Sequence, residues 1–168
     1  MRQKNRRIAL SEIILTIFAV GQIVCTIVFY KKGGSILIRN AGWIILWISA
    51  IFGWLPIFTF KKWGGVQKGK SYIKTTQFVD RGVYAIVRHP QYLAGILISI
   101  SLTLIAQHWI VFIPGIVCIY IYYFDTFKEE EFAIEKFGEQ YKAYQKGVPR
   151  LNFIAGIIRI FTEKARKS

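Results

Sequence analysis

Residues 91–124 read QYLAGILISISLTLIAQHWIVFIPGIVCIYIYYF, a run with no formal charge. A bilayer hydrocarbon core is about 30 Å thick and takes roughly 20 helical residues to cross. The run is too long for one crossing and just long enough for two short ones. Gln107-His108 is its only strongly polar point, and Pro114-Gly115 is a second candidate break. The spacing predicts spans at 92–107 and 109–124, folded into a tight helical hairpin.

Two further apolar runs lie upstream. Ile8 to Tyr30 holds a single charge, Glu12, and Ala41 to Phe60 holds none, so each reads as one span. The first run is too long for a cleavable signal peptide and lacks a small-residue cleavage site. The expected fold is all-α: a polytopic membrane protein of about four transmembrane helices in a single membrane domain over residues 1–168. Spans are expected at about 8–30, 41–60, 92–107 and 109–124, with a loop at 61–91 and a tail helix within 125–168. Trp43, Trp47, Trp54, Trp63 and Trp109 lie near span ends, as interfacial anchors do.

Charge orients this arrangement. Four Lys/Arg precede the first span and seven lie in Lys61–Arg88, against Lys31, Lys32 and Arg39 after the first span and none in the Gln107-His108 turn. The positive-inside bias places both termini, the middle loop and the tail on the cytoplasmic side. The net charge of +14 reads as attraction to anionic headgroups, about 1 kcal/mol per exposed cation, rather than as nucleic-acid binding. From Lys128 onward nine cations are mixed with six carboxylates. Cys25 and Cys118 fall inside spans without metal-ligand spacing and read as packing residues. Lys61–Lys74 is the one linker-like stretch.

The edges of the long run carry the chemistry. Arg88-His89-Pro90-Gln91-Tyr92 sits where the hydrophilic stretch gives way to apolar sequence. Proline is tolerated in the first turn of a helix, so Arg88 and His89 precede a helix whose positive dipole end faces the aqueous side. On the other flank, Lys128 to Tyr144 has helical periodicity. Glu130, Ile134, Phe137, Tyr141 and Tyr144 share one face, and a carboxylate that begins an apolar face must be partnered if buried. Glu129, Glu131, Glu135 and Glu139 read as solvated. Val148-Pro149-Arg150 ends the helix, because the residue before proline avoids helical geometry. A tight hairpin makes these two edges neighbours and collects cations, an imidazole, a carboxylate pair and several tyrosines at one membrane surface.

Gly82-Val83-Tyr84, Arg88-His89-Pro90-Gln91-Tyr92, Glu129-Glu130, Phe137-Gly138, Tyr141, Tyr144 and Val148-Pro149-Arg150 together resemble the isoprenylcysteine carboxyl methyltransferases and the related phospholipid N-methyltransferases. Order and spacing agree over about residues 79–151. The resemblance implies S-adenosylmethionine bound in a cytoplasm-facing pocket of the last two spans and the tail helix. By the motif match, Tyr84, Arg88, His89, Tyr92, Glu129 and Glu130 carry over as cofactor-site residues, and Arg88, Glu130 and Arg150 are the candidates for catalysis. No metal is implied. Some phospholipid methyltransferases carry a GxG beside the first motif, where this chain has only Gly82 and Gly95, which shades the expectation toward the carboxyl branch.

The residue types suit methyl transfer, which needs alignment more than a strong base. A carboxylate acceptor is already ionised at neutral pH, so a cation to orient it (Arg88 or Arg150) and a carboxylate to offset the cofactor's charge (Glu130) suffice. An amine acceptor needs a base, His89 or Glu130. Small and bulky residues alternate along Ala41–Phe60 (Gly42, Trp43, Trp47, Ala50, Gly53, Trp54), leaving grooves for an acyl or prenyl chain or serving ordinary helix packing. The expected acceptor is a prenylated carboxylate, with a phospholipid amine as the alternative. An NADPH-dependent membrane reductase and a non-catalytic scaffold are the readings from other classes.

Overall fold

The computed structural model describes residues 2–30, 34–65 and 77–167, with side chains from residue 10 to residue 166 of those stretches. Lys31, Lys32, most of the linker-like stretch and the side chains of the N-terminal cations lie outside the described residues. Six α-helices follow in order: α1 (Arg2–Val28), α2 (Ile36–Trp63), α3 (Pro90–Ala106), α4 (Trp109–Phe137), α5 (Glu139–Gly147) and α6 (Phe153–Lys167), with a 3-10 turn at Gly82–Ala85. There is no strand among the described residues. The protein is all-α and an integral membrane protein. Among the described residues three helices are long and apolar enough to cross a bilayer, within α1, α2 and α4, and α3 is a shorter apolar helix. At 1.5 Å per residue its 17 residues extend about 26 Å.

The hairpin is as tight as the sequence implies. Only Gln107 and His108 separate α3 from α4, and Gln107 takes a positive φ of 51° to make the turn. Its side chain fastens the reversal, accepting from the Ser35 amide at 2.8 Å and donating to the Ser35 carbonyl at 2.7 Å. Pro114 does not break α4. The helix instead runs past the expected end of the span near Phe124 and stops at Phe137. Good helix formers fill Lys128–Lys136, and the first residue that favours another geometry is Gly138, at φ 57°. The helix expected over Lys128–Tyr144 is therefore two helices.

The chain divides into two compact units. The first comprises Met1–Ala50 and Ala94–Asp125. Within it Ile13, Ile17, Val20 and Val24 form an exposed apolar stripe on α1, while Gln22 and Thr26 are buried on another face. Apolar outside and polar inside is the arrangement that lipid selects. Gln22 donates to the Ser99 carbonyl at 2.8 Å and to the Thr103 hydroxyl at 3.4 Å, joining α1 to α3. Glycines permit the close approaches: a Cβ at Gly42 would meet the Ile105 side chain at 2.8 Å, and one at Gly95 would enter the Tyr122 ring.

The second unit comprises Ile51–Leu93 and Thr126–Ser168. Phe52, Pro56 and Thr59 make the buried face of α2 here. The 3-10 turn packs on it: Gly82 sits at φ 62°, and a Cβ there would approach the Thr59 hydroxyl to 2.9 Å. Tyr84 lies against Phe60 with ring centroids 4.8 Å apart, and Val83 and Val87 are buried. The turn thus delivers Arg88 and His89 to the start of α3.

Candidate functional site

Pro90 opens α3, where a missing N–H costs nothing. The two residues before it are held by backbone. The Arg88 amide donates to the Pro149 carbonyl at 3.0 Å and the His89 amide to the Arg150 carbonyl at 3.2 Å. The short strap at 148–150 therefore lies along the 88–89 loop, and the side chains of both converge on α4.

They converge on Glu130. Arg88 Nε donates to Glu130 Oε1 at 2.9 Å, and its Nη2 lies 2.8 Å from the same oxygen. His89 Nε2 lies 3.1 Å from Oε1. Arg150 grips the carboxylate with a fork, Nε to Oε1 at 3.1 Å and Nη2 to Oε2 at 2.6 Å. Such bidentate pairs are the strong form of charge-assisted hydrogen bond. Glu130 is 5% exposed. It lies six residues beyond the apolar run ending at Phe124. Burial alone would raise its pKa, but hydrogen bonds from His89, Arg150 and Arg88 outweigh that and hold it at about 2.

The arginines have second roles. Arg88 Nη1 donates to the carbonyls of Gln145 at 2.7 Å and Val148 at 2.6 Å. These acceptors belong to the C-terminal end of α5, where a cation also meets the negative end of the helix dipole. Arg150 places its guanidinium 3.7 Å from the centroid of the Phe127 ring, a cation–π contact. Beside them Phe78 meets Phe137 at a tilt and Tyr141 and Tyr144 edge-on. The Tyr144 hydroxyl donates to the Tyr84 carbonyl at 2.6 Å, tying α5 to the 3-10 turn. Burial raises the pKa of Tyr144, and burial followed by the nearby Glu130 charge pushes Tyr141 up to about 12. Both are neutral phenols at physiological pH.

Glu129 differs from its neighbour. It is exposed and accepts from the Tyr92 hydroxyl at 3.2 Å, while the Tyr92 ring meets His89 edge-on at 5.7 Å between centroids. Two arginines against one carboxylate leave a positive excess around Glu130, and Glu129 adds a separate negative pole at the surface. The site therefore presents opposite charges side by side.

Arg88, His89 and Arg150 each contact Glu130, and Tyr92 joins through His89 and Glu129. Tyr84 contributes its peptide oxygen as acceptor for Tyr144 and packs its ring against Phe60. The carbonyls of Gln145 and Val148 leave no mark in a sequence, because any residue can supply them. The sequence did hold the signal for Phe127, an aromatic three residues before Glu130 on the same helical face.

A family model described as phospholipid methyltransferase matches residues 34–140, well over half of the 168-residue chain. The matched stretch takes in Arg88, His89, Tyr92, Glu129 and Glu130 and stops short of Arg150. No curated protein matches the chain at a significant level.

Proposed function

The chain belongs to the phospholipid methyltransferase family, and from that premise we propose that it methylates a lipid-like acceptor with S-adenosylmethionine at the Glu129–Glu130 site. One observation carries the assignment: a buried cationic excess around Glu130 lies beside an exposed carboxylate at Glu129. The charged end of the donor is an amino acid, and opposite poles side by side are what a zwitterion requires. When bound, S-adenosylmethionine supplies an electrophilic methyl group on a sulfonium. Arg88 and Arg150 would hold the carboxylate of that amino acid, and Glu129 with the Tyr92 hydroxyl would hold its cationic groups. Tyr84 and His89 shape the wall behind them.

Glu130 acts in this reading by position. Surrounded by three basic side chains, it fixes Arg88, His89 and Arg150 and keeps both guanidiniums aimed. Compensation of the donor's positive charge passes to Glu129. Glu129→Gln is expected to weaken S-adenosylmethionine binding at least tenfold, about 1.4 kcal/mol, with Glu131→Gln unchanged in isothermal titration. Equal affinities for the two variants would remove Glu129 from the site.

For the acceptor, the reading favours a prenylated thiol carboxylate, which arrives ionised and needs orientation rather than a base. The family match supports a second reading, a phospholipid amine, for which His89 is the candidate base. Purified protein with labelled S-adenosylmethionine is offered a farnesylated cysteine analogue and phosphatidylethanolamine in parallel. Base-labile label in the first marks ester formation, and stable label in the lipid alone reverses the order. The charge bias favours a cytoplasmic site with both termini on that side. A cysteine at position 146 then reacts with an impermeant thiol reagent only from the cytoplasm, and one at position 108 only from the opposite side. Labelling of both from one side would overturn this topology.

A further inference from the structure

Helix α6 turns the wrong face to the protein for a water-soluble tail. Its inward side is Gly156, so close to the Ile86 carbonyl that a Cβ would collide, together with Phe153, whose ring centroid lies 5.3 Å from that of Phe52. Arg159 donates from Nη2 to the Ala85 carbonyl at 2.5 Å. Facing away from the protein, Ile154, Ile158 and Phe161 are 58%, 60% and 69% exposed. Their spacing of four and then three residues makes one stripe. A helix that hides glycine and shows isoleucine is built for an apolar neighbour.

The neighbour follows from depth. Lys61 and Lys62 mark the end of the apolar part of α2. Phe52 lies nine residues earlier, roughly 14 Å further along the helix axis, so Phe153 starts α6 at hydrocarbon depth. Arg159 reaches Ala85, next to Tyr84, which stacks on Phe60 one residue before Lys61. The first half of α6 therefore runs beside the lipid-facing part of α2, where Trp54 and Phe58 are also exposed. Its last turn is basic. Glu163 is paired with Arg159 at 2.8 Å, and Lys164, Arg166 and Lys167 follow with no acid among them. An apolar face continuous with a span face and followed by three cations matches an anionic leaflet.

We propose that α6 is a leaflet-embedded helix: its Ile154/Ile158/Phe161 stripe faces the lipid at the Lys61–Lys62 end, and its basic last turn is held by anionic headgroups. Through Gly156 and Arg159 it also braces the 85–86 backbone that leads to Arg88. The proposal goes beyond methyl transfer and does not rest on it.

The test reads lipid contact, not catalysis. Full-length protein lacking Cys25 and Cys118 receives single spin-labelled cysteines by Ile158→Cys, Phe161→Cys and Glu163→Cys. It is reconstituted in phosphatidylcholine vesicles with and without phosphatidylglycerol. At positions 158 and 161, collision with oxygen is expected to exceed collision with a water-soluble nickel chelate severalfold, with the reverse at 163. Chelate access at 158 and 161 would make α6 a solvated tail, and exclusion of both probes would mean a protein covers it; either result overturns the proposal. Lys164→Gln, Arg166→Gln and Lys167→Gln together are expected to raise chelate access at 161 at least twofold in the phosphatidylglycerol vesicles. No change there would remove the headgroup anchor. Cys118 is buried and Cys25 half-buried, so the cysteine-free parent is first checked against wild type by circular dichroism; the labelled positions are exposed.

Discussion

Gln22 and Glu130 are both polar side chains withdrawn almost completely from the surface, 1% and 5% exposed, yet the molecule treats them in opposite ways. Gln22 is neutral, and its amide is satisfied by acceptors that neighbouring helices already own: the Ser99 carbonyl and the Thr103 hydroxyl. It joins helices and adds no field. Glu130 carries a charge, and an ion withdrawn from water needs counter-ions, so the chain gathers Arg88, His89 and Arg150 around it. The result overshoots neutrality and leaves positive charge to spare. Neutral burial makes a joint; charged burial makes a site.

The largest test of that contrast removes the charge. Glu130→Gln strands two arginines, one of them nearly buried, and is expected to cost about 3–5 kcal/mol by denaturation in mild detergent followed by circular dichroism. Glu131→Gln, exposed on the same helix, serves as the unchanged control. A loss under about 1 kcal/mol, the scale of a surface pair, would break the contrast.

Acid asks the same question without mutation. Glu130 has a pKa of about 2 in the folded protein against an ordinary 4.5. A depressed carboxylate contributes stability above its unfolded pKa and loses it as the folded pKa is approached. The gap between wild type and Glu130→Gln is therefore expected to stay constant above about pH 4.5 and to shrink by about 3 kcal/mol as the pH falls toward 2. A gap independent of pH would mean that shape rather than charge sets the cost.

Gln22→Leu is expected to cost only about 1 kcal/mol, the usual worth of a hydrogen bond between helices in lipid, and to do so equally at pH 4 and pH 7. A loss matching that of Glu130→Gln would erase the distinction. Tyr144→Phe sharpens it by placing a neutral bond in the ionic unit. It removes the donor to the Tyr84 carbonyl for about 0.5–1.5 kcal/mol, measured by the same denaturation. A larger figure would mean that location, not charge, governs the cost.

Much of this was legible in the sequence because lipid imposes long, countable runs. The uncharged stretch at 91–124 fixed a hairpin whose turn falls at Gln107-His108, as found. Glu130 stood out as a carboxylate heading an apolar face, and it is the buried member of the Glu129–Glu131 triplet. Helix ends were less legible. Periodicity carried the reading through Gly138, although a glycine after Phe137 is an ordinary helix stop. Gln22 escaped notice because an amide leaves no mark on a count of charges, and its partners include a backbone carbonyl. The apolar stripe of α6 was readable at Ile154, Ile158 and Phe161, but mixed charges around it drew attention to the tail as a polar segment.

The strap formed by Arg88 and His89 on Pro149 and Arg150 sets the order in which the molecule can be made. Its partners lie about sixty residues apart, a loop whose closure must await the later pair. All four apolar helices precede residue 149 in the chain. Synthesis of the apolar helices therefore precedes closure of the ionic centre. A nascent chain stopped at residue 147 would hold its helices and still lack the Arg150 fork on Glu130. The ionic centre is complete only once that last loop has been added.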